Sequence, residues 1–343
     1  MAGAPASRLN FRNIAQLSDQ VLAWSRELPR DIELVVGIPR SGLLVANLLA
    51  VYRNIPMADL DGFLAGRCLT TGRTHPPEHW REAGMDVERF LQSPRDVFVV
   101  DDATSSGDSI QTARRLVSEA ALPHRVRYGS VYVNDVGLAM VDEHRELLTS
   151  PMAFEWNILH NAVLKDACLD MDGVLCFDPS REQDDDDERY RDFLANAQPL
   201  LKPSRKVKYI VTSRLEKWRN ETEAWLKRNG VEFDELVMLD LPDLSTRREL
   251  RSRSAFKADV YRESNAAIFV ESSLRQSVEI ANLAKRDVLC VDTMQLISPG
   301  SLPTARPSSQ FLDVNRVSPL RRAARAALPT PAKQVIRRIR NLR

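Results

Sequence analysis

Two short runs in this chain carry residue types suited to handling phosphate, and each follows a stretch of apolar residues. The first is Val97-Phe98-Val99-Val100-Asp101-Asp102-Ala103-Thr104-Ser105-Ser106-Gly107-Asp108-Ser109. About seventy residues further on comes Ala167-Cys168-Leu169-Asp170-Met171-Asp172-Gly173-Val174. A bound phosphate needs backbone N–H groups converging from a tight turn at the positive end of a helix. The small residues from Thr104 to Ser109 suit such a turn, and the hydroxyls of Thr104, Ser105, Ser106 and Ser109 can add donors. Two adjacent carboxylates, Asp101 and Asp102, would repel a bare phosphate but suit sugar hydroxyls, so the run reads as a cradle for a phosphorylated ribose. The alternative is a generic Ser/Gly turn with an Asp helix cap. In the second run, Asp170 and Asp172 have the spacing of a nucleophile and an acid/base for phosphoryl transfer. That pair alone also fits an acidic, calcium-like turn.

Something must hold these residues in place, and the surrounding pattern is strand–helix alternation. Short runs rich in Val, Ile, Leu or Phe predict strands over Ile32–Gly37, Asp96–Val100, Arg127–Val133, Ala167–Leu169, Val207–Val211, Leu236–Leu239, Ala266–Val270 and Asp287–Val291. Helices are predicted over Asn13–Leu28, Leu43–Tyr52, Ser109–Ala120, Lys217–Asn229 and Leu274–Ala284, with Gly230 stopping the fourth. The expected fold class is therefore α/β, with two parallel sheets of Rossmann-like kind. Composition breaks near Ser150-Pro151 and at Pro299-Gly300 divide the chain into residues 1–163, 164–298 and 299–343.

The bulk numbers fit this plan. A chain of 343 residues is long enough for two ordinary domains, and 43% hydrophobic with 28% charged residues excludes wholesale disorder. No apolar run approaches the ~20 residues of a membrane span. The first ten residues do not look like a secretory signal. The four cysteines (Cys68, Cys168, Cys176, Cys290) show no CxxC pair, which argues against a cysteine metal site and for a reducing compartment, the cytosol. Net charge hides an asymmetry. Residues 311–343 hold nine Lys/Arg and one acid, +8, whereas the whole chain is +1, leaving −7 on residues 1–310.

The first run resembles the phosphoribosyl-diphosphate (PRPP) motif of type I phosphoribosyltransferases: apolar residues, two acids, two residues, then two Thr/Ser, Gly, one residue and Thr/Ser. Every position is met. The resemblance implies that Asp101 and Asp102 hold the ribose 2- and 3-hydroxyls, and that Thr104, Ser105, Ser106, Gly107, Asp108 and Ser109 hold the 5-phosphate. About sixty residues earlier, Gly37-Ile38-Pro39-Arg40-Ser41-Gly42 follows a predicted strand, as the diphosphate loop of that family does. Arg40, Ser41 and Gly42 would then bind diphosphate, with Arg40 pairing in two-pronged fashion. Between them Asp59–Asp86 is polar and weakly periodic and holds Arg67, Arg73 and His75; it reads as a loop, either a closing lid or a solvated insertion. The implied reaction displaces diphosphate from the anomeric carbon of PRPP, with Mg²⁺ held largely by phosphate oxygens.

The second run resembles the first motif of the haloacid-dehalogenase (HAD) phosphatases. Val207–Val211 followed by Thr212-Ser213-Arg214 is similar to their second motif, Lys257 to their third, and Glu271-Ser272-Ser273 to their fourth. That fourth motif normally offers two acids, and here Glu271 must serve alone. The resemblance implies Asp170 as nucleophile, Asp172 as general acid/base, Thr212 and Lys257 as phosphoryl-binding partners, and Mg²⁺ held by Asp170, Glu271 and the main-chain carbonyl of Asp172. No more than about forty residues separate successive motifs, which leaves no room for a large cap and favours a bulky substrate. Asp184–Glu188 is expected to be a solvated acidic loop.

Along the tail, 332–343 is a predicted basic amphipathic helix with Val335, Ile336, Ile339 and Leu342 on one face. It suits an anionic membrane surface or a partner such as a glycosyltransferase; nothing in it suggests nucleic-acid binding. Taken whole, the chain resembles the phosphoribosyltransferase–HAD fusions of bacterial surface-polysaccharide pathways. That resemblance implies a bifunctional enzyme, cytoplasmic or peripheral at the inner face of the cytoplasmic membrane. It would transfer 5-phosphoribosyl from PRPP to an acceptor glycan, free or lipid-linked, and then remove the 5-phosphate. A nucleobase phosphoribosyltransferase fused to a nucleotidase, or a non-catalytic PRPP sensor, are the alternatives.

Overall fold

A computed structural model of the chain describes residues 9–70, 87–241 and 253–301. The first sheet holds five parallel strands in the order β3(Met57–Asp59), β2(Leu34–Gly37), β4(Asp96–Thr104), β5(Arg125–Val133), β6(Glu143–Leu147). Its central strands are apolar on both faces because helices cover both, as parallel sheets require. Val35, Phe98 and Val100 face one core with helices α1(Ile14–Glu27) and α2(Gly42–Arg53), through Leu17, Val21, Trp24, Val45 and Leu49. The alternate residues Leu34, Val36, Val97 and Val99 face the other, with Ile110, Ala113 and Val117 of α5(Asp108–Glu119). Two short helices, α3(Leu60–Leu64) and α4(Val87–Gln92), precede β4, and α6(Asp135–Leu138) follows β5.

The second sheet runs β10(Phe233–Leu239), β9(Val207–Leu215), β8(Ala167–Leu169), β11(Ile268–Glu271), β12(Val288–Cys290), β13(Gln295–Ile297). All its pairings are parallel except that of β12 with β13, so an antiparallel edge closes an otherwise parallel sheet. Alternation again splits its residues: Leu169, Ile210, Ile268 and Val270 face one core, and Cys168, Val211 and Phe269 face the other. Helices α7(Glu188–Asn196), α8(Arg219–Arg228), α9(Arg253–Glu263) and α10(Leu274–Ala284) flank it. A separate two-stranded parallel sheet pairs β1(Asn10–Arg12) with β7(Met152–Phe154). Leu9, Phe11, Ala153 and Ile158 pack into the second sheet's core, while Phe154 packs into the first. The N-terminal strand and the segment joining the two large sheets thus contribute side chains to both cores at this small sheet.

All eight predicted strands are present, and the structure corrects several expectations. β4 and β9 continue past Val100 and Val211, because their neighbours keep pairing; Asp101 is in register with Ser130 and Thr104 with Val133. Asp101, Asp102 and Thr212 therefore lie inside strands. The short strands β1, β3, β6, β7 and β13 and the polar helix α9 carried no apolar periodicity to predict them; α7 is not among the predicted helices, although Tyr190, Phe193 and Leu194 fall at helical spacing on its buried face. The fourth predicted helix is a 3₁₀ turn, Glu216–Trp218, followed by α8, and it ends as expected with Gly230 at φ 64°. Asp59–Asp86 is not wholly a loop: α3 lies within it, capped by Asp59, and Leu69 bridges Met57. Nor is the acidic run a freely solvated loop. Asp185 accepts the N–H groups of Asp187 and Tyr190, and Asp186 accepts Lys217 Nζ at 2.8 Å and Trp218 Nε1 at 3.1 Å. Arg73 and His75, most of the Pro/Ser linker and the whole predicted tail helix lie outside the described residues.

One glycine decides how closely the first site can assemble. An ideal Cβ at Gly42 would lie 2.6 Å from the Val100 carbonyl oxygen and 3.1 Å from Asp101 Cα. Only a residue without a side chain lets α2 start against β4. Gly42→Ala is expected to lower stability by about 1–3 kcal/mol through this overpacking, measured by urea denaturation. Wild-type stability in the variant would show that the close approach is not required.

Candidate functional site

At the carboxyl end of the first sheet, Asp101 and Asp102 sit side by side and are both buried. Asp101 Oδ1 accepts the Asp102 N–H at 2.9 Å. Asp102 is held from two directions: Ser41 Oγ donates to Oδ1 at 2.7 Å, and Trp156 Nε1 donates to Oδ2 at 2.6 Å. Ser41 reaches this position because the 37–42 loop turns off β2, with the Ile38 N–H on the Val100 carbonyl at 3.0 Å. Burial, then the neighbouring Asp102 charge, pushes the Asp101 carboxyl well above the ordinary aspartate range. Arg40 is exposed at the lip of the loop.

Beyond the acids the chain makes the tight turn that the sequence suggested. Gly107 adopts φ 85° and caps α5, whose first turn carries Asp108. Ser105, Ser106, Asp108 and Ser109 are exposed around that helix start, with Ser106 Oγ donating to Asp108 Oδ2 at 2.8 Å. Thr104 departs from expectation. Its buried hydroxyl bonds the Ser130 hydroxyl across the strands, so it braces β4 against β5 rather than facing the turn.

In the second sheet, adjacent parallel strands bring distant residues to one level. Leu169 is in register with both Ile210 and Val270, so Asp170 and Glu271 emerge at one level, with Thr212 one residue further along β9, and the Asp170 N–H bonds the Val270 carbonyl at 2.9 Å. Lys257, from α9, places Nζ 2.7 Å from Asp170 Oδ2 and 2.7 Å from Glu271 Oε2. All three side chains are buried. The other oxygen of Glu271 accepts the N–H groups of Ser272 (3.0 Å) and Ser273 (3.2 Å). Burial first, then the Glu271 charge, pushes Asp170 well above its ordinary range, with Lys257 opposing the shift. The same two acids hold the Lys257 ammonium protonated despite its burial. Thr212 is buried and accepts the Arg214 N–H at 3.3 Å.

Asp172 stands apart from that trio. Arg214, whose side chain is 0% exposed, grips it with Nη2 at 2.6 Å and Nε at 3.2 Å. Burial favours the neutral acid, but the arginine's charge and hydrogen bonds outweigh it and hold Asp172 below the usual carboxylate range. Cys176 Sγ also approaches Asp172, at 3.4 Å. Gly173 has φ 79°, and a Cβ there would meet Ser272 Oγ at 2.3 Å, so the Asp172–Gly173 turn lies directly against the end of β11.

Sequence reasoning left three partners unassigned. Arg214 was visible in the Thr-Ser-Arg run without a role. Trp156 and Ser130 carried no signal, because neither lies near the motifs in sequence.

The donor set suits a hard divalent cation. Asp170, Glu271 and the Asp172 carbonyl are oxygen donors, the carbonyl lying 3.5 Å from Ser272 Oγ, which also contacts Glu271. Negative charge exceeds positive here: Asp178 is pushed up to about 6 by burial and by the charges of Asp172, Glu271 and Asp292. Among the described residues no group of three or more His, Cys, Asp or Glu side chains is gathered for a metal, so the main-chain carbonyl would be needed.

No protein-family model matches the chain, and no curated protein matches it. Among solved structures it is similar to a purine phosphoribosyltransferase from Pyrococcus horikoshii, with 16% identity over 43% of this chain and 93% of that one, at a TM-score of 0.31. A Helicobacter pylori xanthine-guanine-hypoxanthine phosphoribosyltransferase is similar at 11% identity over 44% of this chain and 95% of that one, TM-score 0.31. A Bacillus anthracis hypoxanthine-guanine phosphoribosyltransferase shows 12% identity over 40% of this chain and 81% of that one, TM-score 0.27.

Two stability measurements test the electrostatics. Lys257→Met leaves Asp170 and Glu271 buried without a counter-charge and is expected to cost about 3–5 kcal/mol in urea unfolding at pH 7.5. The loss should shrink near pH 5, where protons can neutralise the acids; an equal loss at both values would contradict this account. The raised Asp101 carboxyl makes the opposite kind of contribution. Native protein there binds its proton more tightly than unfolded chain does, so stability is lost as pH climbs from the ordinary aspartate value through the raised one. Asp101→Asn escapes that loss and should unfold a few degrees higher at pH 7.5, with no gain near pH 3. A lower melting point at neutral pH would refute it.

Proposed function

We propose that the chain is a bifunctional transferase and phosphatase, divided at residues 163/164, with a type I phosphoribosyltransferase fold followed by a capless HAD fold. The first site transfers 5-phosphoribosyl from PRPP to an acceptor glycan, free or lipid-linked, giving a β-ribofuranoside and diphosphate. The second removes the 5-phosphate. The observation that carries this reading is the buried Asp170–Lys257–Glu271 cluster at the carboxyl end of one parallel sheet, in the same chain as a hydrogen-bonded acid pair at the carboxyl end of another. Ligands of open α/β sheets bind at such ends.

At the first site Asp101 and Asp102 accept the ribose hydroxyls, the 105–109 turn donates to the 5-phosphate, and Arg40, Ser41 and Gly42 take the diphosphate. The departing diphosphate carries away the bonding pair of the anomeric C–O bond, and the acceptor hydroxyl oxygen attacks the opposite face, its proton released to the diphosphate. At the second site Asp170 attacks phosphorus, and Thr212 and Lys257 hold phosphoryl oxygens. Asp172 is the acid/base; because Arg214 holds it as a carboxylate, it must first take up a proton from solvent before passing it to the leaving sugar oxygen, then takes one from water in the hydrolysis. Asp170, Glu271 and the Asp172 carbonyl would hold a Mg²⁺ ion, which would supply charge neutralisation there; at the first site phosphate oxygens would carry it. Asp170, held with Lys257 and Glu271, needs that balance of charge to act as a carboxylate.

The observations also suit a nucleobase acceptor followed by nucleotide dephosphorylation, or a PRPP sensor, and one experiment divides them. Purified protein is incubated with PRPP, Mg²⁺ and either nucleobases or synthetic glycans, and products are followed by mass. Phosphoribosyl-glycan followed by ribosyl-glycan is expected. In Asp170→Asn the phosphorylated product should accumulate, its turnover reduced roughly a thousand-fold or more. Plain ribosyl product at the wild-type rate in that variant would remove the phosphatase assignment, and product from nucleobases alone would remove the glycan.

A further inference from the structure

Asp102 is pinned by two donors that come from opposite ends of the first sheet's sequence. Ser41 takes Oδ1 and Trp156 takes Oδ2, at 2.7 and 2.6 Å. The indole itself is clamped. It stacks on Phe154 with ring centroids 5.0 Å apart and planes 15° from parallel, and Phe154 in turn stacks on Tyr132 at 5.2 Å and 25°. Tyr132 and Phe154 are buried in the first core, so the stack has a fixed base. An indole has a single donor on a rigid ring, and a clamped ring fixes where that donor points.

A carboxylate offers about four lone-pair positions, two on each oxygen. Ser41 and Trp156 occupy one on each, which stops rotation of the group and fixes the direction of its remaining acceptor capacity beside the Asp101 carboxyl. Two parallel acceptors are what a vicinal diol can donate to. We infer that Trp156 is a positioning residue of the first site, orienting Asp102 for the paired hydroxyls of a ribose ring. This rests on the transferase reading given above. Trp156 also lies between Phe154, in the first core, and Ile158, in the second, so the residue that aims the diol-binding acid belongs to the segment joining the two sheets.

Trp156→Phe separates positioning from packing, because phenylalanine keeps the stack and deletes the donor. In full-length protein with Mg²⁺, PRPP affinity by calorimetry should fall roughly ten- to a hundred-fold, the usual weight of a hydrogen bond to a charged group. The effect in turnover should fall more on the donor's KM than on kcat, and the variant should stay folded at the assay temperature with its melting point lowered by only a few degrees. Trp156→His, which retains a ring donor, should recover part of the affinity. A second readout needs no substitution of the donor: in 5-fluorotryptophan protein the Trp156 fluorine resonance should shift on adding PRPP. Affinity in Trp156→Phe equal to wild type, or a Trp156 resonance that stays still while PRPP binds, would overturn the inference and leave the transferase reading standing. Failure of the wild-type protein to bind PRPP would overturn both.

Discussion

Charge taken out of water at the carboxyl ends of two parallel sheets is the constraint around which this protein is arranged. A parallel sheet covered on both faces exposes little of its backbone, and its strand ends are where polar side chains can gather without breaking a core. Yet acids placed there lose solvent, and an isolated buried carboxylate is costly. Each of the acid groups here has a specific compensation. Lys257 lies between Asp170 and Glu271, Arg214 grips Asp172, and Asp102 takes hydrogen bonds from Ser41 and Trp156. Asp101 is the exception, with a main-chain N–H and no cation, and its carboxyl is accordingly raised.

Those compensations determine much of the surrounding structure. The Lys257 bridge ties α9 to β8 and β11 at one point, so the helix cannot shift without stranding two buried acids. Arg214 links β9 to the turn after β8 and also contacts Thr222 on α8. Two neighbouring aspartates thereby receive opposite treatment: Asp170 is pushed up and Asp172 down. In the first sheet, Gly42 lets helix α2 begin directly against β4, which is how Ser41 reaches Asp102 at all.

The small β1–β7 sheet gives these local arrangements a wider setting. Its residues divide between two cores, with Phe11 and Ala153 in one and Phe154 in the other. Asn13, which caps α1, also donates to the Met294 carbonyl next to β13. Trp156 sits in the same stretch. The chain segment that passes between the sheets is therefore also a structural part of the first site.

Much of this was legible without coordinates. Continuous apolar runs mark central parallel strands because both faces are covered, and short acidic or hydroxyl-rich turns after them mark strand ends, so the α/β class, the eight main strands and the acids Asp101, Asp102, Asp170 and Asp172 could all be read from residue type and local order. Gly230 likewise announced its helix end, since few residues tolerate φ 64°. Local order could not reveal the polar edge strand β6 or helix α9, whose apolar periodicity is weak or absent, nor that β4 would carry Asp101 and Asp102 within the strand. Above all it could not say which distant residue neutralises which acid. Lys257 with Asp170, Arg214 with Asp172 and Trp156 with Asp102 are separated by 87, 42 and 54 positions in the numbering, and only tertiary packing, of helix α9 on its sheet, of β9 beside β8 and of the segment after β7 on the first sheet, brings them within hydrogen-bond reach. Residue type states what chemistry is possible; tertiary packing decides the protonation and aim of each group, because both depend on what is buried beside it.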